Sequence, residues 1–513
     1  MTRWEKGNFP LNAQWQQFVE KMEKTCIEHD DDGCKQKWES LKGMLQVVVA
    51  GKGRNQAATL LLELSEMENG AQARVVLEGK PRASRLSDPV APPRKILSFL
   101  ATCAPGLEAV VAAELQAPAI RAANVAIAES GGAVFFSGTW IVAFNAILWL
   151  RCGSRVMHLI ASANLPWADA IGIDPVYQFV RYAVHWKRFL ANNDDGHKRF
   201  RSFSVECRVR DCTRRSVSLY APRKANAAIN DALDLEFNPD VLEPHLKEPA
   251  EVPLFLLIHK DKARLYRDMS SNLGERSYKE VLDKTSLPGE IAAGVLTLAG
   301  WNYAVPGFGE INRNAPTVLL DPMCGCGTLL IEAALMSSNT APGLLRKSWP
   351  FTDWHDFDEE LWQECRARAS AAMLAVPSSH KFLGNDRDQK VISACARAAE
   401  RAGVAHLLQL SSQDFVQYEP PTRPSLVVVN PPWESKERTT TLVPTFSELG
   451  RFLRRHCRET DAYVLSGSRL LASNMRLKAD VNWPIKIQGL HFRLCRYYIL
   501  PKKRKDQAAP QST

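Results

Sequence analysis

The four residues Asn430-Pro-Pro-Trp433 have the chemistry needed to act on an amino group attached to an aromatic ring. Such a nitrogen is a poor nucleophile because its lone pair is delocalised into the ring. The Asn430 side-chain oxygen and the Pro431 carbonyl can accept its two hydrogens, which localises that lone pair. Pro431 and Pro432 restrict the backbone, and Trp433 offers a flat face for a flipped-out base. A strand that merely ends in a proline turn would show the same residues.

The segment Asp321-Pro-Met-Cys-Gly-Cys-Gly-Thr328 has the residue types of a ligand-binding turn between a strand and a helix. Gly325 and Gly327 allow a tight turn and a close approach to a ligand. Thr328 can cap the following helix, whose free N–H groups favour a carboxylate. Asp321 can accept hydrogen bonds from an ammonium group. An acid beside N–H donors suits the amino-acid half of S-adenosylmethionine, although any tight βα turn would contain such glycines.

An acid follows the next apolar segment, Phe382-Leu-Gly-Asn-Asp386. A carboxylate at the end of the second strand of such a sheet can accept hydrogen bonds from both ribose hydroxyls of a nucleoside. Asp386 is the favoured candidate and Asp388 competes with it. Either residue could instead cap the helix that begins near Gln389.

A third acid lies in Ser412-Gln-Asp-Phe415, after the apolar run 407–410. Asp414 could accept a hydrogen bond from an adenine amino group while Phe415 contacts the ring. Taken alone, this segment is typical of a surface loop.

Basic residues are concentrated between Arg181 and Lys224, although the net charge of the whole chain is only +9. Guanidinium groups suit phosphate contacts because each can bind two oxygens. A solvated basic face would look similar, but interleaved aromatic residues favour RNA or DNA as the partner. The residues that we assign to this nucleic-acid contact are Lys198, Arg199, Arg208, Arg210, Arg214 and Arg215.

Alternating strands and helices after Ser286 predict a doubly wound parallel sheet that positions these motifs. Strands are expected near Val318, Phe382, Leu408, Leu426, Tyr463 and Tyr497. Helices are expected over 328–336, 357–375, 389–402 and 447–457. Parallel sheets of this kind bind their ligands at the carboxyl ends of the strands, where Asp321 and Asn430 fall.

Residues 96–270 lack this regular alternation, and their mixed strands and helices predict a separate α+β domain. A strand is expected over 97–102 and a helix over 105–115. Residues 1–66 show helical spacing of apolar residues, and 67–95 contain the Asn-Gly and Pro-Pro pairs of a linker. The N-terminal helices could bind a protein partner, which the sequence does not identify.

The composition excludes several classes of protein. Hydrophobic content of 45% and charged content of 24% are those of a soluble globular chain, and we expect no membrane segment. The twelve cysteines include no Cys-x-x-Cys pair, so we expect no metal site. We favour the cytoplasm, with nuclear or organellar locations as alternatives, because Pro501-Lys-Lys-Arg-Lys505 could be an import signal or a basic tail.

Residues 96–500 resemble the bacterial-type ribosomal RNA guanine-N2 methyltransferases that join a THUMP domain to a Rossmann-like methyltransferase domain. The matching stretches are Phe99-Leu-Ala-Thr-Cys-Ala-Pro-Gly-Leu-Glu108, Asp321-Pro-Met-Cys-Gly-Cys-Gly-Thr-Leu-Leu-Ile-Glu-Ala-Ala334, Ala341-Pro-Gly343, Gly384-Asn-Asp386 and Asn430-Pro-Pro432. Two residues depart from the pattern: Cys326 stands where the family has a small residue, and Trp433 where Tyr is common.

The resemblance implies an α/β fold: a THUMP-type α+β domain that binds structured RNA, followed by a Rossmann-like domain that uses S-adenosylmethionine and forms N2-methylguanosine. Met323 and Cys324 join the cofactor residues on this ground. Many bacterial members carry a second methyltransferase domain, so we expect this chain to make one modification. The expected regions are 1–66 (helical), 67–95 (linker), 96–270 (THUMP-containing RNA-binding domain), 271–500 (methyltransferase domain) and 501–513 (basic tail).

Ribosomal RNA of the large subunit is the favoured substrate, and transfer RNA is a close variant. A DNA or protein amino-group methyltransferase would share the Asn-Pro-Pro motif. A non-catalytic RNA-binding assembly factor would keep the fold, but it would not need Asp321, Asp386 and Asn430 together.

Overall fold

A computed structural model describes most of the chain after residue 94. The described residues are 95–166, 174–190, 201–233, 250–279, 286–301, 312, 314–433 and 440–501. Four predictions lie outside them: the N-terminal helices, nearly all of the linker, the tail beyond Pro501, and Lys198 with Arg199. The described residues belong to one compact unit, which begins at Pro93.

The first sheet is built from seven strands in the first half of the described chain. They are β1 (Leu97–Cys103), β2 (Ala123–Ile127), β3 (Ala133–Gly138), β4 (Gly153–Asn164), β5 (Phe203–Arg210), β6 (Val252–His259) and β7 (Lys262–Asp268). Their order across the sheet is β2-β3-β1-β4-β7-β6-β5. All neighbours are antiparallel except β5 and β6. The expected pairing of the β7 region with β6 is confirmed.

Helices cover one face of this sheet, and the period of two in its strands explains why. They are α1 (Glu108–Gln116), α2 (Trp140–Trp149), α3 (Pro175–Arg181), α4 (Trp186–Phe189) and α5 (Val217–Leu233). Alternate residues of β5, such as Val205 and Cys207, pack against the core beneath the helices. Arg208 therefore projects from the opposite face.

The second sheet also has seven strands, which follow in the second half of the chain. They are β8 (Val318–Asp321), β9 (Lys381–Asn385), β10 (Leu408–Ser411), β11 (Leu426–Val429), β12 (Thr460–Ser466), β13 (Val481–Ile487) and β14 (Leu490–Ile499). Their order is β10-β9-β8-β11-β12-β14-β13. The five strands from β10 to β12 run parallel, and β14 is antiparallel to both of its neighbours.

Helices flank this sheet on both faces, so its central strands are buried on both sides. The helices are α6 (Gly289–Leu298), α7 (Thr328–Ser337), α8 (Glu359–Ala371), α9 (Gln389–Arg401), α10 (Val443–His456) and α11 (Arg469–Asn474). In β11, Leu426 and Val428 pack into one core while Val427 and Val429 pack into the other. This two-sided burial explains the continuous apolar run in the sequence.

The expected strands of this sheet are all present, with two differences in arrangement. The sequence predicted an entirely parallel sheet, but β14 returns antiparallel, and β13, which joins it as a hairpin, was not predicted. Helix α10 begins at Val443, four residues before its predicted start. The α/β fold class is confirmed, with an α+β sheet preceding a doubly wound one.

Across the described residues, no helix combines the length and apolar character that crossing a bilayer requires.

Candidate cofactor and substrate site

The two motifs lie side by side at the carboxyl edge of the second sheet. Strand β8 ends at Asp321, and Asn430 directly follows β11. These strands are neighbours: Leu426 pairs with Leu319, and Val427 pairs with Leu320. The strand order reverses between β8 and β11, and this switch point leaves a crevice where doubly wound sheets bind ligands.

Asp321 is a buried acid at the base of this crevice, with an exposed fraction of 1%. Its Oδ1 accepts a hydrogen bond from the Met323 backbone N–H at 3.1 Å. Burial raises the pKa of Asp321 to about 8, and the nearby Asp386 carboxylate adds to this increase, whereas the Met323 bond opposes it. A cationic group at this position would offset the cost of burying the ionised carboxylate.

The glycines of the turn meet two different requirements. Gly325 has φ +54°, and a Cβ placed there would meet nothing within 4 Å, so there is open space above the turn. Gly327 has φ +74°, and a Cβ there would lie 2.1 Å from the Cys395 Sγ of α9. Gly327 therefore permits both the left-handed backbone and the close packing of α9 against the turn.

The prediction that Thr328 caps α7 is wrong. Gly327 occupies the capping position, and no side chain bonds the first turn of the helix. The Thr328 hydroxyl lies 3.1 Å from the Ser286 hydroxyl instead. The first-turn N–H groups of α7 lack intrahelical partners, as in any α-helix, and they begin next to the open space at Gly325.

The structure assigns different roles to the two competing acids after β9. Asp388 caps α9, because its Oδ1 accepts the Lys390 N–H at 2.8 Å. The Asp386 Oδ2 accepts the Gly325 N–H at 3.1 Å, and its Oδ1 accepts the Asp388 N–H at 3.0 Å. Asp386 thus contacts the β8 turn directly, which is the position the ribose hypothesis requires.

Asn385 is a buried residue of this edge to which the sequence reasoning assigned no role. Its amide nitrogen donates to the Pro322 carbonyl at 3.2 Å and to the Gln413 carbonyl at 3.0 Å. The Asn385 carbonyl in turn accepts the Cys324 N–H at 2.8 Å. One side chain therefore joins three turns of the carboxyl edge. A polar residue in the otherwise apolar β9 was the available signal.

The remaining predicted cofactor residues lie around the same edge. Asp414 is exposed, and its Oδ1 accepts the Val416 N–H at 2.9 Å. Phe415 is half-buried and contacts the Phe452 ring edge-on, with centroids 6.1 Å apart. The Cys324 thiol is buried in the core, where it bonds Cys395 and its pKa is raised, so its side chain contacts the protein interior.

Asn430 carries an acceptor that the surrounding protein leaves unused. Its Oδ1 is buried, and no hydrogen-bond partner for it exists among the described residues. Pro431 is buried, and Pro432 and Trp433 are exposed, Trp433 by 39%. The Trp433 ring meets the Phe492 ring of β14 at 5.6 Å between centroids, nearly perpendicular at 85°. The sequence gave no signal for Phe492, because this contact spans 59 residues of chain.

A buried ion network holds the helix that begins at the cofactor turn. The Arg276 Nε donates to Glu332 of α7 at 2.9 Å, and the Tyr278 hydroxyl donates to the same carboxylate at 2.7 Å. Arg276 also donates to the Arg151 carbonyl at 2.7 Å, after α2 of the first sheet. The network links the segment between the two sheets to the base of the site.

The four described arginines of the expected RNA contact do not share one environment. The Arg208 guanidinium lies 5.8 Å from the centroid of the Phe255 ring, on the face of β5 opposite the helices. The Arg210 Nη1 donates to the Ser130 carbonyl at 2.6 Å. Arg214 and Arg215 are exposed in the turn that precedes α5. The structure therefore brings together Arg208 and Arg210 on one sheet face, with the other two at its end.

The groups at the carboxyl edge fit S-adenosylmethionine. Asp321 could hold its ammonium group, the α7 N–H groups its carboxylate, and Asp386 its ribose. The open space at Gly325 leaves room for the ligand. Among the described residues, no group of three or more His, Cys, Asp or Glu side chains could hold a metal ion.

This fold and this site define a Rossmann-like methyltransferase domain, a class whose cofactor is S-adenosylmethionine. Residues 276–489 match the family model UPF0020, described as RMKL-like, methyltransferase domain. Residues 98–157 match the model of the RlmL ferredoxin-like domain. The expected S-adenosylmethionine cofactor agrees with this class.

Individual relatives carry similar descriptions. The chain is 28% identical over 420 residues to "Ribosomal RNA large subunit methyltransferase K/L" of Photobacterium profundum, covering 80% of this chain and 54% of the relative. It thus spans about half the length of the curated relatives it matches. A "possible methylase" from Clostridium difficile shares the fold with a TM-score of 0.63 and 23% identity, over 80% of this chain and all of that one. A "predicted N6-adenine-specific DNA methylase" from Listeria monocytogenes gives 0.62 and 24%, over 79% and 97%.

Proposed function

We propose that this chain transfers a methyl group from S-adenosylmethionine to RNA and forms N2-methylguanosine, with large-subunit ribosomal RNA as the favoured substrate. The observation that carries this proposal is the buried, unpartnered Oδ1 of Asn430, next to the turn that follows β8. An unpaired buried acceptor costs stability, so its presence at a ligand crevice favours a donor from the substrate.

An exocyclic amino group supplies such a donor. Guanine carries one at N2, and the Asn430 oxygen with the Pro431 carbonyl could accept both of its hydrogens. This arrangement would localise the nitrogen lone pair toward the methyl group without a general base. Trp433, with its exposed face, would stack on the flipped base.

The choice of RNA rests on two further observations. The first sheet contains the region that matches an RlmL ferredoxin-like domain, and the curated relatives are named as ribosomal RNA methyltransferases. We propose that residues 96–270 form a THUMP-type domain that binds structured RNA, with 271–500 as the catalytic domain. Arg208, Arg210, Arg214 and Arg215 are the proposed phosphate contacts.

Methyl transfer with labelled S-adenosylmethionine tests the proposal. The substrates are unmodified large-subunit ribosomal RNA, transfer RNA, duplex DNA and total protein, and nucleoside analysis of the labelled RNA identifies the product. We expect label in ribosomal RNA as N2-methylguanosine. Label only in transfer RNA would move the substrate, label only in DNA or protein would overturn the RNA assignment, and absence of transfer would overturn the enzyme.

Asn430→Ala tests the proposed role of the acceptor. We expect transfer to fall by about 10²–10³-fold, because a preorganised polar group at the reacting atom is lost. The affinity for S-adenosylhomocysteine should stay unchanged. Asn430→Asp retains an acceptor of similar shape and should keep more activity than the Ala variant. Loss of cofactor affinity in Asn430→Ala would contradict the assignment, since it would place Asn430 at the cofactor instead.

A further inference from the structure

A cleft of about 440 Å³ lies beside the proposed reaction centre, on the face of the second sheet that carries α11. This volume is within the range of small-ligand sites in proteins. Helix α11 and the segment after it form one wall, and the β13–β14 hairpin forms the other. The polar residues that line it are Ser466, Ser468, Arg469, Ser473, Asn482, His491 and Arg493.

The cleft has the electrostatics of an anion site. Arg469 and His491 are exposed, and Arg493 is half-buried. The lining residues include no Asp or Glu. Within the described part of the chain, neither arginine forms an ion pair or a side-chain hydrogen bond. Other exposed arginines of the same domain are paired, for example Arg423 with Glu459 at 2.9 Å.

The cleft is continuous with the catalytic edge. Ser466 ends β12, the strand that pairs with β11 directly before Asn430. Phe492 lines the cleft and also contacts the Trp433 ring at 5.6 Å between centroids. A strand of nucleic acid whose base stacks on Trp433 therefore passes the mouth of this cleft.

We propose that the cleft binds the phosphodiester backbone of the RNA next to the methylated nucleotide, with Arg469 and Arg493 as the phosphate ligands. A base can reach Asn430 only if its nucleotide leaves the RNA helix, which moves the adjoining phosphates to the carboxyl edge of the sheet. Guanidinium groups bind such oxygens in pairs, and the serine hydroxyls and the Asn482 amide can complete the contacts. The inference rests on the proposed function and adds a second RNA contact, in the catalytic domain.

The test uses the full chain and an unmodified large-subunit ribosomal RNA transcript. Arg469→Ala and Arg493→Ala are compared with Lys478→Ala, which removes a positive charge from an exposed residue outside the cleft lining. Each arginine variant should weaken RNA binding by about tenfold at moderate salt, the effect of losing one charged hydrogen-bonding group. Its salt dependence should fall by about 0.7 per lost contact. Lys478→Ala should change neither quantity appreciably.

Two further measurements separate this inference from the proposed function. S-adenosylhomocysteine affinity and the thermal unfolding midpoint should match wild type, which shows that the variants fold and keep the cofactor site. In transfer assays KM for RNA should rise more than kcat falls, and Arg469→Lys should recover part of the affinity. If wild type binds RNA without methylating it, the proposed function fails while the cleft is still tested by binding. Arginine variants that bind RNA as Lys478→Ala does would overturn the inference, as would a wild type that does not bind RNA.

Discussion

The raised pKa of Asp321 leads to a prediction about cofactor affinity. Burial holds this pKa at about 8 in the free protein, so the carboxyl group is mostly protonated at pH 6 to 7. A ligand ammonium group beside it favours the ionised carboxylate. Binding below pH 8 must therefore release a proton from Asp321, and affinity should rise with pH.

The magnitude follows from this linkage. Well below pH 8, each unit decrease in pH should weaken binding by about tenfold. The useful window is about pH 5.5 to 7.5, because the amino group of an amino-acid ligand itself loses its proton near pH 8. Across this window we expect the dissociation constant of S-adenosylhomocysteine to change by roughly 50- to 100-fold.

Titration calorimetry provides the measurement. Repeating each titration in buffers of different ionisation enthalpy should show nearly one proton released on binding at pH 6. Asp321→Asn cannot release this proton, so its affinity should be weak and nearly independent of pH. Asp388→Asn is the matched control, because Asn caps a helix as well as Asp does and Asp388 lies outside the crevice. It should retain the wild-type pH dependence.

Two results would refute this reasoning. One is a wild-type affinity that does not change between pH 5.5 and 7.5. The other is an Asp321→Asn variant with the same pH dependence as wild type. The same raised pKa also acts on stability: folding is favoured below the ordinary Asp pKa of 3.8, and this contribution is lost as pH rises through about 8. Without ligand, Asp321→Asn should remove that loss, as urea unfolding at pH 5 and 8 would show.

Gly327→Ala should destabilise the protein more than Gly403→Ala, although both residues have nearly equal φ values of +74° and +73°. Gly403 has open space and should cost only about 1–2 kcal/mol for the left-handed backbone, whereas Gly327 adds a clash with Cys395 of about 1–3 kcal/mol. Urea unfolding measures both, and adding Cys395→Ala should reduce the excess; equal effects at the two glycines would contradict the packing argument. Arg276→Ala should cost about 3–5 kcal/mol by leaving the buried Glu332 carboxylate without its ion partner. Replacing Glu332 with Gln at the same time should recover part of this loss, and an Arg276→Ala variant as stable as wild type would exclude the network as a structural support.

The local features of the fold could be read from sequence because short-range physics decides them. Two-sided burial requires the apolar run of β11, and the left-handed backbone at Gly325 and Gly327 requires glycine. The alternation of strands and helices likewise placed Asp321 and Asn430 at the same edge of one sheet. The hairpin of β13 and β14 escaped prediction because its exposed edge strand lacks a strong apolar pattern.

The sequence by itself therefore determined the class of fold and the residues at its carboxyl edge. Only the tertiary structure decided which neighbours those residues use. Asp386 reaches Gly325 across 61 residues, while Asp388, two positions away, caps a helix. Trp433 meets Phe492, and Cys395 takes the space beside Gly327, through packing between distant segments. Local propensity is set within a few residues, whereas these contacts depend on how the sheet aligns strands far apart in the chain, so no short motif encodes them.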